Sequence, residues 1–329
     1  MHNRKIIIAG GTGFIGQELI KFFGNGNDLV ILGRQAKNQA NNRNHYSDLA
    51  ADDLLRTRYV QWDGKTAGAW AAELERADLL VNLAGKSVNC RYTEANKQEI
   101  MDSRVNANHA LGAAIRLCKK PPALWINSSS ATIYRHATDH AQDEFTGETG
   151  EGFSVDVCKQ WEASFYGEST PATRKAALRI AITLGEGGVL IPYFNLLKFK
   201  MGGAQGSGKQ MYSWVHKDDL CHAIGFIHDH NELDGTFNVA APNPVPNRDF
   251  MTALRKATGH VFGLPAYSWM LKAGAWMIGT ETELVLKSRC VIPSRLLQAG
   301  FSFRFPYIGP AFEDILKAVP AKQYSWFKR

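Results

Sequence analysis

Short apolar runs alternate with longer amphipathic stretches along the first 130 residues. Residues 5–9, 29–32, 59–62, 79–83 and 123–127 are nearly all apolar, as parallel strands read when both sheet faces are covered. Between them, residues 14–23 put Ile15, Leu19, Ile20 and Phe23 on one helical face, and 94–118 form a long helical region. The alternation predicts an α/β fold built on a doubly wound parallel Rossmann sheet. Residues 35–53 are polar, rich in Asn and Ala, and read as a mobile excursion after the second strand. Further on, the pattern predicts a strand over 177–183, a Gly-rich loop over 202–208, a helix over 218–228 and a short strand over 236–240. After Pro242, Pro244 and Pro246 come helical patterns over 248–258, 267–278 and 281–286. The expected division is a dinucleotide-binding domain over 1–240, with 186–212 as a lid or substrate loop. A smaller, largely helical C-terminal region follows over 241–329 and leans over the carboxyl edge of the sheet, where ligands sit in such folds.

Composition narrows the class. With 45% hydrophobic and 21% charged residues the chain is an ordinary globular one, and no run of about 18 apolar residues suggests a membrane span. The apolar run at Ile6-Ile7-Ile8 is too short for a signal-peptide core. Five widely spaced cysteines without a Cys-x-x-Cys pair read as reduced thiols, and a cytoplasmic location is expected. The net charge of +7 is dispersed, with no Lys/Arg run longer than two, which argues against a nucleic-acid partner and suits a polyanionic small ligand. A monomer or homodimer is expected.

The first chemical signal is Gly10-Gly11-Thr12-Gly13-Phe14-Ile15-Gly16, lying between a strand and an amphipathic helix. Such a turn lets a helix N-terminus face a pyrophosphate. Gly10 permits the turn, Gly13 lets the backbone approach the phosphates, and Gly16 lets the helix pack on the sheet. The second strand ends in Gly33-Arg34, where a carboxylate would accept hydrogen bonds from a ribose 2′-hydroxyl. An arginine there fits a 2′-phosphate, so the expected cofactor is NADP (NADPH). Asp63, after the third strand, is placed toward the adenine side. Leu83, Ala84 and Gly85, after the fourth, are placed near the adenosine ribose and pyrophosphate.

These stretches, with Ser128-Ser129-Ser130-Ala131-Thr132-Ile133-Tyr134, resemble the extended short-chain dehydrogenase/reductases of the sugar-nucleotide epimerase type. More narrowly, the chain resembles the atypical epimerase-family, or nucleoside-diphosphate-sugar-epimerase-like, proteins with a C-terminal domain of unknown function. The likeness extends through Asn82-Leu83-Ala84-Gly85, Ser103-Arg104, Trp161-Glu162, the segment around Gly206, Ser213-Trp214-Val215-His216 and Gly300-Phe301-Ser302-Phe303. It implies an NADP-binding oxidoreductase or epimerase-like protein acting on a small polar molecule, a nucleotide sugar being one candidate. It also implies a Ser, a Tyr and a Lys at work, the last two in a Tyr-x-x-x-Lys segment.

Ser130 matches the serine, with Ser128 beside the cofactor, and Lys159 can be aligned with the ribose-holding lysine. The tyrosine position is then Val155. Matching Glu162 instead shifts the pair to Ser154 and Cys158, and neither register restores a tyrosine. Arg104 stands where the superfamily often has an Asn, and is grouped with the cofactor residues. Tyr134, Asp156, Cys158 or an ordered water are the remaining proton carriers, with Tyr134 foremost because it follows the fifth strand. The missing tyrosine also keeps open a non-catalytic NADP-binding sensor or scaffold. Of the other polar clusters, Arg179, Lys209 and Gln210 are placed to meet a second anionic ligand. His216 with Asp218 and Asp219 reads as a capped helix start and not a metal site. Tyr267, Trp269 and Trp276 read as a core or interface stripe.

Overall fold

The computed structural model describes residues 1–34, 56–267 and 288–325. Seven parallel strands form the central sheet: β1 (Lys5–Ala9), β2 (Asp28–Gly33), β3 (Thr57–Gln61), β4 (Leu79–Asn82), β5 (Leu124–Ser130), β6 (Arg174–Ile180) and β10 (Gly235–Val239). Their order is β10-β6-β5-β4-β1-β2-β3. The chain therefore leaves β1 toward β2 on one side and later returns to β4 on the other. The crevice at the carboxyl ends of β1 and β4 is the switch point where doubly wound sheets bind ligands.

Alternating side chains of the strands feed two cores. Ile6, Ile8 and Ile31 pack with Leu19, Ile20 and Phe23 of α1 (Phe14–Gly24) and with Leu220, Ile224 and Ile227 of α5 (Lys217–Asp229). Ile7, Val30 and Leu80 pack on the opposite face with Leu111 of α2 (Glu94–Leu117), Phe165 of α3 (Phe153–Gly167) and Trp70. All three isoleucines of β1 are fully buried, each contributing about 1.5–3 kcal/mol. This two-sided burial is why the strands read as continuous apolar runs.

The run expected as one strand over 177–183 divides at Ala181. β6 stays in the sheet, while β7 (Ile182–Leu184) turns away to pair in parallel with β9 (Trp214–His216). A third core then forms beside the sheet. It takes Leu190, Phe194 and Leu197 from α4 (Leu190–Lys198), Tyr212 from β8 (Met211–Tyr212) and Trp214 from β9. To these it adds Phe250 and Leu254 of α6 (Asn247–Thr258) and Phe312 and Ile315 of α8 (Ile308–Lys317). β11 (Val245–Pro246) pairs with β8, and α7 (Ser294–Gln298) packs against β10. The side lobe thus draws on residues before 213 as well as after 240. The helical patterns over 268–278 and 281–286, Trp269, Trp276 and the excursion over 35–53 lie outside the described residues. Among the described residues no helix is long and apolar enough to cross a membrane.

Candidate functional site

Each glycine of the 10–16 turn has a separate reason to be there. Gly10 adopts φ +80°, and a Cβ on it would lie 2.8–2.9 Å from the backbone of Leu83 and Ala84. It is the point where the ends of β1 and β4 touch. A Cβ on Gly16 would lie 2.5 Å from Gly11 Cα, so helix and turn could not close. Gly13 differs, since a Cβ there meets only Gly10 O at 3.6 Å. The protein's own atoms do not require glycine at 13, and the space in front of it is open for a ligand. Helix α1 begins at Phe14 with no side-chain cap and no acidic residue in its first turn, leaving its first N–H groups to an anion. Thr12 is exposed and its carbonyl accepts from Gln17 Nε2 at 3.2 Å. Ile15 packs against the first core, and Phe14 lies against the loop through Gly185 and Gly188. These residues fit a dinucleotide pyrophosphate.

At the adenosine end, Arg34 is exposed just past β2, and Gln61 Nε2 donates to its carbonyl at 3.2 Å. Asp63 is committed to its own turn. Its carboxylate accepts from Lys65 N (2.8 Å), Thr66 N (2.9 Å) and Thr66 Oγ1 (2.6 Å). Those bonds, the Thr66 hydroxyl first, hold its pKa down to about 2.

Behind the switch point a buried amide network positions the 83–85 segment. Asn82 Nδ2 donates to Asn108 Oδ1 (2.9 Å) and Asn127 Oδ1 (2.8 Å), while Asn82 Oδ1 accepts from Ala84 N (3.0 Å). Asn108 Nδ2 reaches Trp161 O (3.0 Å) and Ser164 Oγ (2.8 Å), tying α2 to α3. Neither Asn82 nor Asn108 was foreseen as a positioning residue; the available signal was a polar residue closing an otherwise apolar strand. Arg104 comes next. Its guanidinium lies 3.0 Å from where a Gly85 Cβ would be and 4.8 Å from the Trp161 ring, and Nη1 donates to Lys86 O (3.1 Å) and Ile100 O (2.9 Å). Burial lowers its pKa. Its remaining donors suit an anionic or carbonyl oxygen beside Gly85.

The end of β5 brings Ser128, Ser129 and Ser130 to the same edge. Ser130 Oγ donates to Thr132 Oγ1 (2.9 Å) and accepts from Thr132 N (3.2 Å), capping the short helical turn Ala131–Ile133. Ser129 Oγ donates to Glu162 Oε1 at 2.7 Å. That contact fixes the phase of α3. Glu162 and Cys158, one turn apart, both face β5, and Cys158 feels Arg104, Arg179 and Arg289. Lys159 projects about 100° further round the helix, is exposed, and donates to Gly150 O at 3.3 Å. Of the two registers, the geometry favours Ser154 and Cys158, which takes Lys159 off the row facing β5. Cys158 is no ready nucleophile or acid, because burial pushes its thiol up to about 12.

Tyr134 requires a correction. It is buried, its hydroxyl accepts from Arg179 Nη1 (2.9 Å), and its one proton lies between Asp143 O (2.9 Å) and Asn238 Oδ1 (3.0 Å). With its bonding capacity filled and its pKa raised by burial, it is a clamp and not a proton carrier. The 186–212 stretch is likewise no loose lid. Helix α4 is packed in the third core, and the Gly-rich loop is tied down by Gln205 N to Asn247 Oδ1 (2.7 Å), Gly203 N to Leu264 O (2.9 Å) and Arg248 N to Gly208 O (3.0 Å). Lys209 remains exposed.

His216, Asp218 and Asp314 bring one ligand atom each within 4.8 Å of one another. Here too the helix cap differs from expectation. His216 Nδ1, not an aspartate, accepts the Asp218 N–H at 3.1 Å. The ring proton therefore sits on Nε2, which faces Asp314 Oδ2 at 3.5 Å, the nitrogen a metal would need unprotonated. Asp219 instead accepts from Arg304 N (2.8 Å) and Phe305 N (3.0 Å), fastening the segment that leads into α8.

The switch-point crevice, the glycine turn and the doubly wound sheet define a dinucleotide-binding protein of the short-chain dehydrogenase/reductase type. The profile of the NAD dependent epimerase/dehydratase family matches residues 6–240, and the chain belongs to that family. A domain of unknown function, DUF1731, matches residues 268–315. The epimerase family protein YfhF of Bacillus subtilis is 30% identical over 316 residues, covering 94% of this chain and 97% of the relative. The mouse epimerase family protein SDR39U1 is 28% identical over 321 residues, covering 95% and 99%. Among solved structures, human SDR39U1 (isoform 2) with NADPH superposes with a TM-score of 0.79 at 25% identity, covering 96% of this chain and all of the other. A UDP-N-acetylglucosamine 4-epimerase from Methanobrevibacter ruminantium, at 16% identity and TM-score 0.74, covers 96% and 98% and shares the fold.

Proposed function

We propose that the chain binds NADP(H) in the switch-point crevice and serves as an oxidoreductase or epimerase-like enzyme on a small polar substrate, with a nucleotide sugar as the leading class. The observation that carries this is the open space before Gly13 at an uncapped α1, joined to an arginine and no carboxylate at the end of β2. The NADPH held by the human relative supports it. When bound, the nicotinamide supplies hydride transfer. The chain's own residues do the rest. The 10–16 backbone holds the pyrophosphate, Arg34 meets the 2′-phosphate, Arg104 steadies an oxygen beside Gly85, and Ser130 orients a substrate oxygen at the end of β5. Proton transfer runs through a group other than Tyr134, Cys158 or a Tyr-x-x-x-Lys pair.

A second reading, an NADP-binding sensor or scaffold without turnover, is favoured by one observation: the α3 positions one and two turns before Glu162 are Cys158 and Ser154, in place of an acid–base pair. Incubating the protein with NADPH and a panel of carbonyl compounds, and with NADP+ and a panel of nucleotide sugars, separates the two. NADPH oxidation by a carbonyl compound, or NADP+ reduction or sugar interconversion with a nucleotide sugar, that disappears in Ser130→Ala with cofactor binding retained supports the enzyme. Tight NADPH binding without turnover on the whole panel supports the sensor.

A further inference from the structure

Two exposed cations stand at the carboxyl ends of β2 and β3, and neither side chain makes a direct ion pair with a carboxylate among the described residues: Arg34 and Lys65. The elements that carry them are locked together. β2 and β3 pair with Gly33 opposite Gln61, Trp62 N donates to Gly33 O at 3.0 Å, and the Gln61 side chain holds Arg34 O at 3.2 Å. Trp62 is buried edge-on against Trp70, with ring centroids 5.2 Å apart. Just beyond it, Gly64 at φ +72° reverses the chain, and Asp63 takes the Lys65 and Thr66 amides at 2.8 and 2.9 Å. Lys65 is therefore an exposed ammonium on a rigid turn, beside the strand end that bears Arg34.

The α2 residue Glu99 feels both charges. Glu99 of α2 is held below the usual carboxylate range first by its bond to Lys86, and both Arg34 and Lys65 add to that pull. Lys86 is occupied, bonding Glu99 and also Asn96 Oδ1 at 2.8 Å. Arg34 and Lys65 remain available.

A phosphate monoester carries about −1.5 to −2 charges near neutral pH. One guanidinium leaves roughly half of that unmatched. We propose that Lys65 is the second cation of the 2′-phosphate subsite and, together with Arg34, sets the preference for NADP(H) over NAD(H). This assignment rests on the NADP(H) reading given above. In it Asp63 shapes the turn under Lys65.

The test is calorimetric titration of the full chain with NADPH and with NADH, for the parent protein and for Lys65→Ala, Lys65→Arg and Arg34→Ala. Lys65→Ala is expected to weaken NADPH about tenfold while NADH stays within about twofold, and Lys65→Arg to retain most NADPH affinity. Adenosine 2′,5′-bisphosphate should follow NADPH. Unchanged NADPH affinity in Lys65→Ala, or equal weakening of NADH, would overturn the assignment. If Arg34→Ala abolishes the preference and Lys65→Ala does not, the role of Lys65 alone falls. If the parent protein does not prefer NADPH, the NADP reading falls and this assignment with it.

Discussion

Arg179 on β6 grips Glu162 on α3 through two parallel hydrogen bonds, Nε to Oε1 at 2.9 Å and Nη2 to Oε2 at 2.8 Å. The same guanidinium reaches Tyr134, and the same carboxylate takes the Ser129 hydroxyl. Residues of β5, β6 and α3, with Tyr134 just past the Ala131–Ile133 turn, thereby fix the phase of α3 against the carboxyl edge of the sheet. Removing one member of a buried pair strands the other charge. Glu162→Ala is predicted to lose about 3–5 kcal/mol in denaturant unfolding, and Glu162→Leu combined with Arg179→Met to recover most of that loss. A loss below about 1 kcal/mol for Glu162→Ala would mean the pair does not organise the edge.

The glycines of the turn separate folding from binding. Gly10→Ala forces a Cβ into the Leu83–Ala84 backbone at a positive φ and is predicted to lower the unfolding midpoint by several degrees. Gly13→Ala meets no protein atom closer than 3.6 Å. It should leave the midpoint within about one degree and weaken NADPH tenfold or more. Equal effects of the two substitutions on folding would contradict the ligand role of Gly13.

Tyr134→Phe distinguishes a clamp from a catalyst. Losing the hydroxyl leaves Arg179 Nη1, Asp143 O and Asn238 Oδ1 each short of a partner, a cost of about 1–3 kcal/mol. NADPH affinity and any turnover per folded molecule should be unchanged. A selective loss of turnover with stability intact would restore Tyr134 as the proton carrier.

His216 predicts an acid-side weakness. Burial outweighs the pull of Asp218, Asp219 and Asp314, so its folded pKa lies below the ordinary 6.5. Below that value the unfolded chain takes a proton that the folded chain refuses, so stability falls as pH drops from 6.5 toward the folded pKa. Above 6.5 both states are neutral and its contribution is constant. Protonating Nδ1 would also set it against the Asp218 N–H that it now accepts. Unfolding midpoints between about pH 7 and pH 5 should decline less in His216→Asn, where a side-chain oxygen can still cap α5. Parallel declines in both proteins would remove His216 from the account.

Much of the sheet was legible because strands buried on both sides must be apolar throughout, as β1, β2 and β4 are. The division of β6 from β7 was not, since Ala181 interrupts no hydrophobic pattern and only the pull of β9 diverts the chain. The site divided in the same way. Gly10 and Gly16 announce themselves, because few residue types serve where strand ends and a helix start come into backbone contact. The phase of α3 did not. The identity of Lys159 suggests one register and Glu162 another, and the contact of Glu162 with Ser129 on a distant strand decides between them. Tyr134 misled for a related reason: its place after β5 is visible in the sequence, whereas Arg179 and Asn238, which occupy its hydroxyl, lie 45 and 104 residues away.

The central claim is that Arg34, in a chain with no carboxylate at the end of β2, makes this an NADP(H) protein. The most direct measurement is the ratio of NADPH to NADH dissociation constants, by calorimetry, for the parent protein and Arg34→Ala. The account predicts that the parent binds NADPH at least tenfold tighter and that Arg34→Ala lowers that ratio about tenfold, by weakening NADPH and not NADH. A parent protein that binds NADH as tightly, or a substitution that weakens both cofactors equally, would contradict it.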